Sequence, residues 1–266
     1  MDIRDYLFEP LTGASFIAEL TAAESGLLSG MELAVTRGAE LGFQLELVAS
    51  DGVHLEPGSR VLRLIGSAEE IARAEEELLA CVGKTSGVAT ASARLLEQAA
   101  GKAQVVCGAW KKVAPELRKW LRQAIAVGGV SIRLVEQPFV YLDKNYVRMF
   151  GSIGKIVERA RQVDGRTVVV QIRGDTDAIA NEAGEAFRCG AGVLMVDTGK
   201  IEDLLSVVAA ARSEGFRKAV RIAFAGGVTS STLDEVIAAG ADIVDVGRSV
   251  IDAPLLDFRF DVLHKV

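Results

Sequence analysis

Apolar and polar positions follow two different patterns along the chain. Over the first eighty-odd residues, Phe16-Ile17-Ala18-Glu19-Leu20, Gly42-Phe43-Gln44-Leu45-Glu46-Leu47-Val48 and Val61-Leu62-Arg63-Leu64-Ile65 alternate or run apolar at strand length. Turn-forming pairs separate them: Ser25-Gly26, Ser29-Gly30, Asp51-Gly52 and Pro57-Gly58. This pattern predicts a small, mostly antiparallel unit with one or two helices. Ser67, with Glu70 three residues on, reads as a capping box. The helix it opens is expected to run to about Val82, carrying Glu69, Glu70, Glu75, Glu76 and Glu77.

From about Ala103 the pattern becomes helix, glycine, apolar strand. It recurs in Leu121 to Arg133 around Gly128-Gly129, in Ala186 to Asp197 around Gly190, and in Val236 to Gly247 around Gly240. A glycine stops each helix where a left-handed backbone costs least. The strand that follows is nearly all apolar, as strands buried on both faces must be. Further strands fit at Gln104–Cys107, Phe139–Leu142, Thr167–Ile172 and Val220–Phe224. The fold class expected is α/β, with a small α/β sandwich domain and an open seven-stranded parallel, TIM-like α/β barrel from about Ala103 to Ser249. An open doubly wound sheet is the alternative. The expected domains are residues 1–86 and 87–254, with the tail 255–266 returning to the first domain through the alternating Phe258-Arg259-Phe260-Asp261-Val262.

Half of the 266 residues are apolar, enough for a sizeable core. No apolar run reaches the ~18 residues of a membrane span. The opening Met1-Asp2-Ile3-Arg4-Asp5 is too charged for a signal peptide, so a cytoplasmic location is expected. Cys81, Cys107 and Cys189 are scattered in apolar contexts and read as thiols. The net charge of −6 argues against nucleic-acid binding.

Parallel barrels present their chemistry where strands end at the carboxyl edge. The residues expected there are Lys111, Lys112, Arg133, Asp143, Lys144, Gln171, Arg173 and Asp197. Five cations against two carboxylates, in an acidic chain, suggest an anionic small-molecule ligand. The last two loops, Ala225-Gly226-Gly227-Val228-Thr229-Ser230 and Gly247-Arg248-Ser249, place glycines before helices, with Thr232 and Glu235 as a further capping box. Free N–H groups there suit a phosphate, so Gly226, Gly227, Gly247 and Arg248 are its expected contacts. The only histidines, His54 and His264, lie outside the barrel strands. No residue set has metal-ligand spacing, and the lone Asp197 is a poor metal site.

These residues resemble the quinolinate phosphoribosyltransferase (nicotinate-nucleotide pyrophosphorylase) family. The resemblance rests on Ser25-Gly26-Leu27-Leu28-Ser29-Gly30, Thr85-Ser86-Gly87-Val88-Ala89-Thr90, Pro115-Glu116-Leu117-Arg118, Gly128-Gly129-Val130-Ser131-Ile132-Arg133, Ala225-Gly226-Gly227-Val228 and Asp252-Ala253-Pro254-Leu255-Leu256-Asp257. It implies transfer of a phosphoribosyl group from phosphoribosyl pyrophosphate to quinolinate, with release of pyrophosphate and CO₂. Catalytic roles are implied for Lys112, Arg133 and Asp197, and ligand contacts for Lys111, Lys144, Gln171 and Arg173. No cofactor is called for, and Mg²⁺ is expected only with phosphoribosyl pyrophosphate. A homodimer or higher homo-oligomer is implied, consistent with a first domain too small to bury much surface alone.

The family's catalytic pattern is altered. Its arginine-lysine pair reads Lys111-Lys112, its histidine-arginine pair reads Ile132-Arg133, and its lysine-aspartate-asparagine-histidine reads Asp143-Lys144-Asn145-Tyr146. A glutamate becomes Gln171, another becomes Ala223, and an arginine of the first domain becomes Glu76. Three readings stand. The main one is a divergent protein binding another phosphorylated or phosphoribosyl ligand, with quinolinate turnover absent or weak. The alternatives are a genuine carboxylating nicotinate-nucleotide pyrophosphorylase and an inactive binding or partner subunit.

Overall fold

A computed structural model of the chain describes residues 3–266, so Met1 and Asp2 of the charged start lie outside the described residues. The strands are β1 (Phe16–Ala22), β2 (Gly26–Leu27), β3 (Gln44–Leu47), β4 (His54–Leu55), β5 (Arg60–Gly66), β6 (Gln104–Val106), β7 (Phe139–Leu142), β8 (Thr167–Ile172), β9 (Val193–Asp197), β10 (Arg221–Ala225), β11 (Ile243–Asp245) and β12 (Phe258–Lys265). The helices are α1 (Ile3–Phe8), α2 (Met31–Leu41), α3 (Ala68–Ala99), α4 (Arg118–Val127), α5 (Lys144–Phe150), α6 (Ile153–Arg161), α7 (Ile179–Cys189), α8 (Ile201–Ser213), α9 (Ser230–Ala238) and α10 (Gly247–Ile251). Among the described residues no helix is long and apolar enough to cross a membrane.

The chain divides into two compact units: residues 1–93, 111–129 and 250–266, and residues 94–110 and 130–249. In the first, an antiparallel sheet runs β12-β1-β5-β3. The tail strand β12 pairs with β1 from Phe16↔Lys265 to Ala22↔Phe258, as the alternation predicts. One face of the sheet buries Ala18, Leu20, Leu62 and Leu64 against Met31, Ala34, Leu78 and Val82. The capping box at Ser67 is present, Ser67 N donating to Glu70 Oε2 (2.7 Å) and Glu70 N to Ser67 Oγ (3.3 Å).

The helix that follows does not stop near Val82. It continues to Ala99, through Gly83 and Gly87. The small residues there permit close packing rather than chain reversal: a Cβ on Gly87 would sit 1.9 Å from the Pro254 carbonyl oxygen. Thr85 Oγ1 donates to the Ser29 carbonyl (2.6 Å), Ser29 N to Ser86 Oγ (3.0 Å) and Leu27 N to Thr90 Oγ1 (2.8 Å). The two sequence signatures at 25–30 and 85–90 therefore hold each other, and the hydroxyls of Thr85, Ser86 and Thr90 are structural.

The second unit holds a parallel sheet ordered β6-β11-β10-β9-β8-β7. From β7 to β11 each crossover moves one strand the same way, and the first strand, β6, then pairs with the last, β11. Right-handed crossovers taken always in one direction put every helix on one face, so the other face must curve onto itself. Val106, Val169, Val193, Met195, Ala223 and Ile243 fill that inner face, with Val135 among them. The seventh predicted strand is reduced to one bridge, Ser131↔Val106. Ser131 Oγ accepts from Arg133 N (3.2 Å), which bends the chain out of strand geometry and leaves the barrel open. Gly190 and Gly240 carry the left-handed backbone predicted after their helices, both at φ 105°.

Candidate functional site

The inner face of the barrel sets the site by alternation. Tyr141 follows Phe139 inward on β7, Gln171 follows Val169 on β8, Asp197 follows Met195 on β9 and Asp245 follows Ile243 on β11. Asp197 stands opposite Ala225, and Asp245 opposite Val106. Two carboxylates thus close the carboxyl edge of the barrel on either side of β10, whose own contribution is the small Ala225.

Gln171, only 7% exposed, links two elements. Its Nε2 donates a short hydrogen bond to Asp197 Oδ2, and its Oε1 accepts from Lys144 N at 2.7 Å. Arg173 donates from Nη1 to the Asp197 carbonyl and lies 3.7 Å from Asp197 Oδ2. The loop carrying Arg173 is built on Glu182 of α7, a carboxylate 1% exposed. It accepts from Arg173 N (3.0 Å), Gly174 N (2.7 Å), Thr176 N (2.8 Å) and Thr176 Oγ1 (2.8 Å). Four donors onto one buried acid balance its desolvation and make the loop rigid. Asp143 caps α5, accepting from Asn145 N (2.7 Å) and Tyr146 N (3.3 Å). Burial, and then the charges of Asp197, Asp245 and Asp143, push the Tyr141 phenol well above its ordinary range, with Arg173 opposing.

The β10 edge is made of backbone instead. Gly226 and Gly227 have φ of 114° and 87°. A Cβ on Gly226 would sit 2.5 Å from Gly199 N, whereas one on Gly227 would meet nothing within 4 Å. A cavity of about 300 Å³ is lined by Lys200, Phe224, Gly226, Gly227, Thr232 and Glu235. Phe224 lies between the inward Ala223 and Ala225, so this cavity belongs to the helix side of β10, at the starts of α8 and α9. The capping box of α9 uses Thr229 and Thr232, not Thr232 and Glu235, because the helix begins at Ser230. Gly247 N donates to Asp245 Oδ1 (3.0 Å), which also accepts from Gly108 N (3.2 Å). That amide is therefore engaged by the protein's own carboxylate. Arg248 follows it in α10.

The structure brings Gln171, Arg173, Asp197 and the Lys144 amide into one cluster, and places Gly226 and Gly227 at the next strand end. Arg133 is elsewhere. Its guanidinium lies 5.6 Å from the ring of Phe139, the first residue of β7, and its carbonyl accepts from Gln104 Nε2, the first residue of β6 (3.4 Å). It sits at the amino end of these strands because the chain turns back at Ser131. Lys111 and Lys112 belong to the first compact unit, in a short 3₁₀ turn held by Arg118, which donates to the Lys111 and Val113 carbonyls (3.0 and 3.1 Å).

Three polar residues escaped the sequence reading. Asp245 and Tyr141 were legible in principle, each standing two places after an inward apolar residue. Glu182 carries no such signal, since an acid on an amphipathic helix ordinarily reads as solvated. Among the described residues no group of three or more His, Cys, Asp or Glu is placed to hold a metal ion.

Known proteins share this fold. Residues 5–86 match the family described as quinolinate phosphoribosyl transferase, N-terminal domain, and residues 88–261 match its C-terminal domain. The chain is similar to the probable nicotinate-nucleotide pyrophosphorylase (carboxylating) of Methanothermobacter thermautotrophicus, 25% identical over 252 residues, or 94% of this chain and 89% of that protein. The human nicotinate-nucleotide pyrophosphorylase (carboxylating) is 27% identical over 251 residues, covering 93% and 82%. Among solved structures, the nicotinate-nucleotide pyrophosphorylase from Pyrococcus furiosus superposes with a TM-score of 0.83 at 19% identity, covering 99% of this chain and 73% of that one. The enzyme from Francisella tularensis gives 0.79 at 21%, covering 98% and 94%. With both domain families matched in order along nearly its whole length, the chain belongs to the quinolinate phosphoribosyl transferase family.

Proposed function

We propose that the chain is a carboxylating nicotinate-nucleotide pyrophosphorylase, joining quinolinate to phosphoribosyl pyrophosphate and releasing pyrophosphate and CO₂. The observation that carries this reading is the match to both family domains, together with curated relatives of that name covering most of the chain. It is better supported than the divergent-ligand reading that the altered motifs suggest. Two features of the barrel edge weaken the force of those alterations. Asp143 is a helix cap beyond the end of β7, so strand alternation does not keep the neighbouring Lys144 from the mouth. Asp245 adds a carboxylate at the edge, beside β10, whose Ala225 carries none.

In this reading Lys144 and Arg173 attract the anionic substrates, Asp197 binds a ribose hydroxyl, and the Gly226-Gly227 backbone receives a phosphate. Mg²⁺ is typically held by one or two carboxylates plus substrate phosphates, and Asp197 and Asp245 fit that role when phosphoribosyl pyrophosphate brings the ion. The test is purified protein with quinolinate, phosphoribosyl pyrophosphate and Mg²⁺, followed by detection of nicotinate mononucleotide. Turnover of order 1 s⁻¹ or more is expected. No product, with thermal stabilisation by phosphoribosyl compounds, would return the divergent-ligand reading; neither effect would indicate a partner subunit. A homodimer is part of the proposal, and light scattering that gives a monomer at all concentrations would remove it.

A further inference from the structure

We propose that Gln171 is a positioning residue rather than a ligand contact: it ties the Asp197 carboxylate and the first turn of α5 into one preset unit. This deepens the proposed function, since it rests on Asp197 serving the ligand there. The chemistry of the two partners fixes the amide's orientation. Asp197 as a carboxylate only accepts, and the Lys144 N–H only donates, so Nε2 must face the first and Oε1 the second, as they do. Few side chains can donate to one neighbour and accept from another through one rigid planar group. A glutamate at this position would keep the bond from Lys144 N but press two carboxylates together. A leucine would lose both bonds. The low exposure of Gln171 leaves little of it for a ligand. Arg173 and Gln171 both approach Asp197 at Oδ2, and among the described residues Oδ1 accepts no hydrogen bond. Asp197 is thus gripped from the β8 side, with its other oxygen left for a hydroxyl or a cation.

The arrangement makes residues 171 and 197 an acid–amide pair, with one carboxylate and one amide in contact. The surrounding charged or titratable groups are Arg173 beyond β8, Tyr141 on β7, Asp143 and Lys144 at the start of α5, and Asp245 on β11. Tyr141 is held neutral by burial and by the carboxylates, so it adds no proton exchange between pH 5 and 8.

The experiment compares wild type, Q171E, Q171L and the exchange variant Q171E/D197N by thermal melting without ligand from pH 5 to 8, and by kcat/KM over the same range. In Q171E the two acids should share a proton at low pH, one donating to the other as the amide does, and repel when both ionise. Q171E should therefore melt within about 2 °C of wild type at pH 5 and at least ~4 °C below it at pH 8. Its kcat/KM should fall about 100-fold more at pH 8 than at pH 5. Q171L should lose stability equally at every pH. Q171E/D197N, in which amide and acid change places, should recover the flat melting profile. A pH-independent deficit in Q171E, no deficit at all, or failure of the exchange variant to recover would overturn the proposal. If Q171E does not fold, recovery by the exchange variant alone decides. Melting profiles need no turnover, so an inactive wild type would overturn the proposed function while leaving this inference to stand or fall on the melts.

Discussion

The ends of β8 and β9 and the end of β10 solve one problem, presenting polar groups at a barrel mouth, in opposite ways. At β8 and β9 side chains satisfy one another: Glu182 holds the loop, Gln171 holds Asp197, and Arg173 closes over it. At the end of β10 glycine removes the side chains and leaves the backbone to act, with Gly226 jammed against Gly199 and Gly227 in open space, whereas after β11 the Gly247 amide is held by Asp245. The first edge is rigid because its partners are already inside the protein. In the proposed function the second receives the anion, at the Gly227 turn, where a Cβ would meet nothing within 4 Å.

The largest expected effect lies on the side-chain edge. Glu182→Ala would remove the acceptor for three amides and one hydroxyl. It should cost about 3 kcal/mol in urea unfolding, given what buried unpaired donors cost. A loss below about 1 kcal/mol would mean that water replaces the carboxylate and that the edge is not preset.

The two glycines separate packing from binding. Gly226→Val meets both a left-handed backbone and the Gly199 backbone, and should cost about 2–3 kcal/mol. Gly227→Val meets only the backbone penalty, about 1–2 kcal/mol. Yet Gly227→Val should abolish the rise in melting temperature given by a phosphoribosyl ligand. Equal stabilities for the two variants, or retained ligand stabilisation in Gly227→Val, would erase the contrast drawn between them.

Asp245→Asn separates charge from hydrogen bonding at the end of β11. Its Oδ1 can still accept from Gly108 N and Gly247 N, so stability should change by less than about 0.5 kcal/mol. Loss of the charge should raise the Mg²⁺ concentration needed for half-maximal turnover about 10-fold, near the lower bound for altered metal surroundings. An unchanged Mg²⁺ requirement would make Asp245 a loop tie and nothing more.

The smallest effect is alkaline. Cys107, whose Sγ donates to the Gly247 carbonyl, is pushed up to about 11 by burial, with Asp245 adding to the shift. Below pH 9 both folded and unfolded chains keep the thiol proton. As pH rises towards 11 the unfolded chain releases it first, so stability falls through that window. Cys107→Ala should flatten part of the decline between pH 9 and 11 in melts. The remainder should respond to Cys81→Ala, since burial pushes that thiol up to about 11 as well. An unchanged slope in the double variant would assign the decline to other groups.

Much of this edge was legible from residues alone. The glycine-punctuated apolar runs located β8, β9, β10 and β11 and hence the loops that end them. Gln171, Arg173 and Asp197 came out together because strand ends fall at fixed places in such runs. Arg133 did not, because nothing in Val130-Ser131-Ile132-Arg133 reveals that a serine hydroxyl bends the chain after one bridge. The helix α3 outruns its expected end near Val82 for a related reason. Glycine in a helix usually signals its end, but Gly87 is there to admit the Pro254 carbonyl from far along the chain.

Periodicity and glycine placement therefore determined the class of fold, the order of its elements and which residues could reach the mouth, because these depend on spacing along the backbone. Tertiary structure alone decided what those residues do on arrival. Whether Gln171 grips Asp197 and the Lys144 amide, whether Thr85 meets the Ser29 carbonyl, and whether Asp245 accepts from Gly108 depend on hydrogen-bond partners tens of residues distant. A buried polar group takes whichever partner the fold delivers, and one sequence window holds only half of each pair.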